Sequence, residues 1–413
     1  MTLMHVLDYA NPKAAATHMK TLHVISDLNP RSGGPNSVVR ALSDYQARAR
    51  IDVTVCTSNW KNSIDKNISD YLGPRKNDVT FKIFPSWSPL LISTTMNKWF
   101  RNNIKNFDIV HIHGLYRFPV TSAACWARLE EVPYLICPHG SLDPFLYKQS
   151  RYNIFLKRIY ERLFDIPNLN HAAAVHYTAG DEAKRAAFLK LRSMPVVVSN
   201  GIDWESYSHL PAKGKFRQHL GIDAKMPLVL FLGRINFKKG LDILVSAFSR
   251  VLTKNSNARL AVVGPDDEGY GLKVRQWCRE QGIHDKVFFV DHLELKNVKE
   301  AYVDADVFIL PSYTENFGMT VVEAMACGTP VVISDQVNIW REIQETGAGV
   351  VVCLDPCAVA DAICMVLEDK QTAEAMETRG RAAAKSCYAW PHIVDQMTQV
   401  YQELIANSPR VKS

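Results

Sequence analysis

Residues 307–323 read Val307-Phe308-Ile309-Leu310-Pro311-Ser312-Tyr313-Thr314-Glu315-Asn316-Phe317-Gly318-Met319-Thr320-Val321-Val322-Glu323. Four consecutive apolar residues, 307–310, leave no position for a wetted face, so this run suits a strand buried on both sides. Gly318 lets the backbone turn, and a helix opens behind it. A buried strand, a glycine turn and a helix together form one repeat of a parallel α/β sheet. The same unit recurs on both sides. Strands are expected at 22–26, 53–57, 79–84, 109–113, 134–137, 175–178 and 196–199, with helices between them, as at 38–49 and 121–130. After Asn200-Gly201-Ile202-Asp203 and a polar stretch to Met226 the pattern restarts, with strands at 228–232, 260–263, 287–290, 307–310, 331–333 and 350–352. The expected fold is α/β, with two Rossmann-like, doubly wound parallel-sheet domains facing an interdomain cleft. Ligands in such sheets sit beyond the C-terminal strand ends. The expected organisation is an N-terminal tail at 1–18, a first domain at 19–200, a second at 201–389, and a C-terminal helix at 390–413 packing back on the first.

The composition agrees with this. The 413 residues are 47% hydrophobic and 22% charged, which excludes a disordered or collagen-like chain. The net charge of +6 is uneven. Residues 1–200 carry 25 Lys and Arg against 15 Asp and Glu, whereas 201–413 carry 23 against 27. Only the first half therefore favours an anionic partner. Nine cysteines, an odd number without a CxxC pair, argue against a disulfide framework and for a reducing cytoplasm. Cys353, Cys357 and Cys364 have helical spacing and read as small hydrophobes. Neither a secretory signal nor a membrane-spanning run is expected.

The motifs narrow the chemistry. The first strand is not followed by GxGxxG, and the chain has neither GxxxxGK[ST] nor GxSxG, so nicotinamide redox chemistry, P-loop phosphoryl transfer and serine hydrolysis are disfavoured. Asp304-Ala305-Asp306 matches a DxD metal motif but precedes its strand, away from the expected cleft. His111 and His113 share one strand face without a third zinc ligand nearby in sequence, so a structural or substrate-facing role is favoured. At the turn quoted above, the N–H groups of Met319 and Thr320 suit an anion. A carboxylate at Glu323 suits the vicinal diol of a ribose, and Glu315 is free to accept from sugar hydroxyls. Gly233-Arg234 and Lys239-Gly240 place two cations at the mouth of the second sheet, where they can hold a diphosphate and neutralise it as it leaves. Gly33-Gly34-Pro35 makes a similar glycine turn after the first strand.

Glu315 and Glu323 resemble the E-x7-E motif of the retaining glycosyltransferases of family four, which have the GT-B fold. The resemblance extends over nearly the whole chain after Met19. It includes Gly33-Gly34, His113-Gly114, Pro138-His139-Gly140-Ser141, Asn200-Gly201-Ile202-Asp203, Gly233-Arg234, Lys239-Gly240 and Gly328-Thr329-Pro330. It implies sugar transfer from a nucleotide diphosphate sugar, with the nucleotide in the second domain and the acceptor in the first. Glu323 would hold the ribose. Arg234 and Lys239 would hold the diphosphate, with Gly34 and the turn Gly318, Met319 and Thr320, and Gly33 and Phe317 would belong to the same donor-binding set. Glu315 would hold donor hydroxyls, and His139 would contact the donor sugar near the reacting carbon. The implied catalytic set is His139, Glu315, Arg234 and Lys239. Front-face attack, with the leaving phosphate taking the acceptor proton, needs no metal and no other cofactor. Asp291-His292 departs from the family's usual glycine and leaves the nucleobase open; UDP is preferred over GDP or ADP.

The basic first half suggests a partner. Residues 79–107 and 144–160 contain no acid, and Lys and Arg alternate there with Trp, Phe, Tyr and Leu. Such segments suit anionic membrane surfaces, or else bury their apolar residues and wet their cations. Nucleic acid is not an expected partner, since no recognition module is present. The expected protein is a cytoplasmic enzyme, peripheral to the inner face of the membrane. It would transfer a sugar from a UDP-sugar such as UDP-glucose to a saccharide or lipid-linked acceptor, in envelope or exopolysaccharide synthesis. The competing readings are a sugar-nucleotide epimerase of the same architecture and a non-catalytic nucleotide-sugar-binding protein.

Overall fold

A computed structural model describes residues 19–28, 34–60, 79–148, 151–266, 268–291, 293 and 295–412. The chain divides into two compact units. Unit 1 comprises Met1–Gly201 and Trp390–Ser413; unit 2 is Ile202–Ala389. The tail at 1–18 and Gly33 lie outside the described residues.

Unit 1 holds seven parallel strands: β1 (Lys20–Ile25), β2 (Asp52–Trp60), β3 (Thr80–Ser86), β4 (Ile109–His113), β5 (Tyr134–Cys137), β6 (Ala174–Tyr177) and β7 (Met194–Val197). Their order is β3-β2-β1-β4-β5-β6-β7. Unit 2 repeats the scheme with six: β8 (Leu228–Leu232), β9 (Arg259–Val263), β10 (Val287–Val290), β11 (Val307–Leu310), β12 (Val331–Ser334) and β13 (Gly349–Val352), in the order β10-β9-β8-β11-β12-β13. The strand positions agree with the sequence expectation to within a few residues. Central strands such as β4, β5 and β11 are buried at every position, so their uninterrupted apolar runs reflect helices on both faces.

In each unit the order reverses once, between β1 and β4 and between β8 and β11. Helices leave the sheet in opposite directions at such a point, which opens a crevice beyond the strand ends. The candidate residues of unit 2 lie on the loops that follow β8 and β11 and on the helix Met319–Ala326 behind the second.

The last long helix, Trp390–Ala406, belongs to unit 1. It buries Trp390, Ile393, Val394, Met397, Val400, Tyr401 and Leu404, one face at helical spacing. Each large apolar side chain contributes about 1.5–3 kcal/mol when fully buried. Gly201 admits this helix, because a Cβ there would stand 2.5 Å from Trp390 Cδ2.

One glycine in unit 2 is decisive. Gly240 is left-handed (φ +63°), and a Cβ on it would meet the Pro311 carbonyl oxygen at 1.9 Å. The loop after β8 therefore lies directly on the end of β11. Replacing Gly240 with Ala should lower the unfolding free energy by about 2–4 kcal/mol, from strain plus displaced backbone. Urea denaturation measures this, and an unchanged midpoint would show that the close approach is not required.

Candidate donor-binding site

The loop after β8 forms a short 3-10 turn at Phe237–Lys239, with the Asn236 side chain accepting from Lys238 N at 3.1 Å. Tyr313 N, just past β11, donates to Lys238 O at 2.7 Å. The Tyr313 hydroxyl donates to Asp242 Oδ2 at 2.6 Å, on the helix that Gly240 caps. These bonds and the Gly240 contact bring Lys239 to Glu315, and the two form a mostly buried ion pair, each side chain less than a fifth exposed. Glu315 is itself fixed by its backbone, which bonds to Gln336 O and Asn338 N.

Arg234 is exposed at the end of β8. Lys238, which the motif reading passed over, is held below its usual pKa by burial and by the Arg234 charge. The loop therefore concentrates three cations, with Glu315 paired to Lys239 and the Glu268 and Glu315 charges partly offsetting the repulsion at Lys238. An arriving diphosphate would relieve the repulsion between the cations.

Gly318 (φ +81°) caps the eight-residue helix Met319–Ala326. A Cβ there would lie 3.1 Å from Val337 Cγ1 and 3.5 Å from Glu315 Cγ, so the turn is packed tightly beside Glu315. Met319 and Thr320 supply the first N–H groups of this helix, which by position lack an intrahelical acceptor. Phe317 stands immediately before this turn. Its side chain is 2% exposed and edge-on to Tyr388, so the ring is core and only its backbone borders the turn.

Glu323 accepts from the Tyr302 hydroxyl at 3.0 Å. Burial pushes its carboxyl up from the ordinary 4.5 to about 7, against the opposite pull of the Tyr302 hydroxyl and the Lys299 charge. Tyr302 occupies one lone pair of Oε2, and the remaining acceptor positions suit a diol. Tyr302, like Lys238, was missed because only the fold brings it to the motif residue.

The DxD pair has a structural role. Asp304 accepts from the N–H groups of Gly214 and Arg217, while Asp306 accepts from Leu228 N and pairs with Arg217 Nη2, both at 2.7 Å. Both carboxylates pin the segment before β8 to the start of β11, away from the strand ends where a ligand would bind.

In unit 1, Gly34 is the exposed first residue of the helix Gly34–Arg48. His139 follows β5 in a left-handed conformation (φ +49°). Glu182 holds this turn: its carboxylate accepts from Gly140 N at 2.7 Å, and from Thr178 N and Oγ1. The His139 ring lies between His113 Nδ1 at 3.2 Å and Cys137 Sγ at 3.6 Å, with burial lowering its pKa to about 3. It is therefore a neutral imidazole with both nitrogens engaged.

The two acid-free segments differ in structure. Helix Thr94–Asn103 buries Met96 and Phe100 and exposes Lys98 and Arg101, the ordinary amphipathic arrangement. From Leu156, within the second, through to Asp165 beyond its end, the arrangement is inverted. Glu161 and Asp165 face inward, while Leu156 (62% exposed), Ile159, Leu163 (61%) and Phe164 face out beside Lys157, Arg158 and Arg162. Inside, Glu161 accepts from the hydroxyls of Tyr116 (2.6 Å) and Tyr147 (3.0 Å), which line a pocket with Ser141, Lys157 and Arg158.

Comparison with known proteins agrees with this architecture. Residues 32–206 match the family model described as Glycosyltransferase Family 4, and residues 212–383 match that described as Glycosyl transferases group 1. Over 95% of the chain and 99% of the relative, it is 25% identical to GDP-mannose:cellobiosyl-diphosphopolyprenol alpha-mannosyltransferase of Xanthomonas oryzae. A D-inositol 3-phosphate glycosyltransferase of Xylanimonas cellulosilytica is 31% identical over 52% of each chain. The chain spans about half the length of the first such curated relatives. Anabaena HepE, solved with UDP and glucose, superposes with a TM-score of 0.74 at 19% identity over 94% of this chain and 100% of that one.

Above pH 4.5 the unfolded chain releases the Glu323 proton, while the folded chain keeps it to about 7. Folding stability from this group therefore falls as pH rises through that window and is level above it. In Glu323→Gln the fall should be smaller, read from urea unfolding at several pH values. An identical slope in both proteins would mean that Glu323 ionises normally. Each unit thus matches a glycosyltransferase family model, and together they carry the GT-B fold.

Proposed function

We propose that this protein is a retaining, metal-independent glycosyltransferase that uses a nucleotide diphosphate sugar. The observation that carries the reading is the Lys239–Glu315 pair beside the Gly318 turn, at the strand-order reversal of unit 2. It combines cations for a diphosphate, unpaired helix N–H groups and a carboxylate for a ribose within one crevice. On this reading the diphosphate draws Lys239 away from Glu315. Lys239, Arg234 and Lys238 then neutralise the leaving group, and Glu315 is released to bind sugar hydroxyls. The Gly318–Thr320 turn adds backbone donors to the phosphates. Glu323 grips the ribose. His139 borders the reaction as a neutral group and not as a base, which suits proton transfer to the leaving phosphate. The preferred donor is a UDP-sugar such as UDP-glucose, in keeping with the UDP held by HepE.

For the acceptor, the reading is a saccharide or lipid-linked glycan in envelope or exopolysaccharide synthesis. The diphosphopolyprenol acceptor named for the Xanthomonas relative supports it. The inverted segment 156–164 supports peripheral contact with an anionic membrane at its inner face. No helix of the described residues is long and apolar enough to cross a membrane, whereas an exposed apolar stripe flanked by cations fits the plane of a bilayer surface.

A panel of UDP-, GDP- and ADP-sugars, followed for nucleotide release without added metal, should give turnover with UDP-sugars. Glu323→Ala should weaken nucleotide binding by about tenfold, the loss of roughly one charge-assisted contact. No release or binding with any donor would remove the proposal, and altered sugar without transfer would favour an epimerase. Sedimentation with vesicles containing phosphatidylserine at low salt tests the surface. Ile159→Asp with Leu163→Asp should abolish binding, and a wild-type protein left in the supernatant would end the membrane reading.

A further inference from the structure

Unit 1 contains four buried histidines, His23 on β1, His111 and His113 on β4 and His176 on β6, and a half-buried one, His139 after β5, none of which the donor chemistry uses as a base. Their ring nitrogens are joined, through two other side chains, into one line of hydrogen bonds. His176 Nε2 lies 2.8 Å from the Val198 carbonyl, and His176 Nδ1 lies 3.2 Å from His111 Nε2. His111 Nδ1 is 2.7 Å from the hydroxyl of Tyr401, on the C-terminal helix. That hydroxyl is 3.3 Å from Gln46 Nε2, and Gln46 Oε1 is 2.7 Å from His23 Nε2. His23 Nδ1 is 3.0 Å from His113 Nε2, and His113 Nδ1 is 3.2 Å from His139 Nε2. Cys137 Sγ ends the line 3.6 Å from His139 Nδ1.

The line has one direction. The Val198 carbonyl only accepts, so His176 carries its proton on Nε2 and accepts at Nδ1. His111 must then donate from Nε2 and accept at Nδ1 from the Tyr401 hydroxyl. Tyr401 has given its proton to His111, so it accepts from the Gln46 amide. That fixes the amide orientation and turns Oε1 toward His23. His23, His113 and His139 follow, each donating from Nε2, and the Cys137 thiol donates last. Reversing the line would make His176 carry protons on both nitrogens. Burial opposes this, holding His23 and His176 near 4 and the other rings below their ordinary value.

We propose that Tyr401 and Gln46 are positioning residues that set the Nε2–H tautomer of His139, which neither of them touches. The Val198 carbonyl is the reference for the whole line. The proposal rests on the functional reading only in taking His139 to border the reaction. A competing use of the same side chains is a metal. His23, His111 and His113 bring one ring nitrogen each within 4.8 Å of one another, as do His113 and His139 with the Cys137 sulfur. The hydrogen bonds already claim every one of these nitrogens, so an ion would have to break the line to bind.

Long-range nitrogen–proton correlation spectra of the full-length protein with labelled histidine test this directly. The expected wild-type result is five neutral imidazoles protonated on Nε2. Tyr401→Phe removes both roles of the hydroxyl and frees the Gln46 amide to turn. His139 should then show a mixture of tautomers, and sugar transfer should fall about tenfold with nucleotide affinity unchanged. Gln46→Met should do the same. Gln46→Glu keeps an acceptor facing His23 and should restore the Nε2–H form of His139. A wild-type His139 protonated on Nδ1, or a His139 tautomer indifferent to Tyr401→Phe, overturns the proposal. Loss of the Nε2–H signals on adding one equivalent of zinc ion overturns it in favour of a metal centre. Absent turnover with the tautomers as expected would sink the enzymatic reading and leave the line intact.

Discussion

The approach of Gly240 to the Pro311 carbonyl is the contact on which the rest of unit 2's chemistry depends. It joins the exits of β8 and β11, the two strands between which the sheet order reverses. The Tyr313–Lys238 backbone bond holds the same seam, and Lys239 is left facing Glu315. A side chain at position 240 would part the loops, and the cations would then face solvent without a fixed partner. The glycine is needed for the space and for its left-handed backbone, since its Cβ position is occupied by another strand's carbonyl.

Charge is arranged differently in the two units. Unit 2 is acidic over its length but gathers Arg234, Lys238 and Lys239 on one loop, and the buried Glu323 holds a proton almost to neutrality. Unit 1 has the surplus of cations, yet the Asp, Glu, Lys and Arg side chains buried among its described residues are all acids: Asp143, Glu161, Asp165, Asp181 and Glu182. The five histidines of the hydrogen-bonded line have their pKa values lowered by burial, and Glu182 is pushed up to about 7 by burial while three donors oppose that rise. Among the described residues, no lysine or arginine of unit 1 is buried, and Lys157, Arg158 and Arg162 stand beside the exposed Leu156, Ile159, Leu163 and Phe164. The long-range surplus is thus a surface property, whereas the polar chemistry inside each unit depends on short hydrogen bonds.

The C-terminal helix serves unit 1 twice. Its apolar face, from Trp390 to Leu404, closes one side of the core. Its Tyr401 hydroxyl is the one polar atom of that face that enters the histidine line, bonded to both His111 and Gln46. A tyrosine hydroxyl that donates once and accepts once can carry a direction of bonding from one side chain to the next, which a phenylalanine of the same shape cannot.

Strand identity and parallel order were legible because buried parallel strands are apolar at every position and their helices intervene at regular spacing. Glu315, Gly318 and Glu323 were legible because a glycine turn between two acids is a local pattern. Lys238 and Tyr302 were not, since the one depends on its burial in the folded loop beside Arg234 and the other on a partner 21 residues away. The direction of the Phe317 ring was not legible, because local sequence cannot tell a ring facing a ligand from one facing Tyr388. His111 and His113 stood without a third histidine in sequence; the adjacency of β1 and β4 brings His23 across 90 residues to His113. The amino-acid sequence by itself determined the periodicity, the turns and the charge of each half, because these arise between near neighbours in the chain. Tertiary structure alone decided which carboxylate meets which cation and which way each imidazole is protonated, because those depend on contacts between strands and helices far apart in sequence.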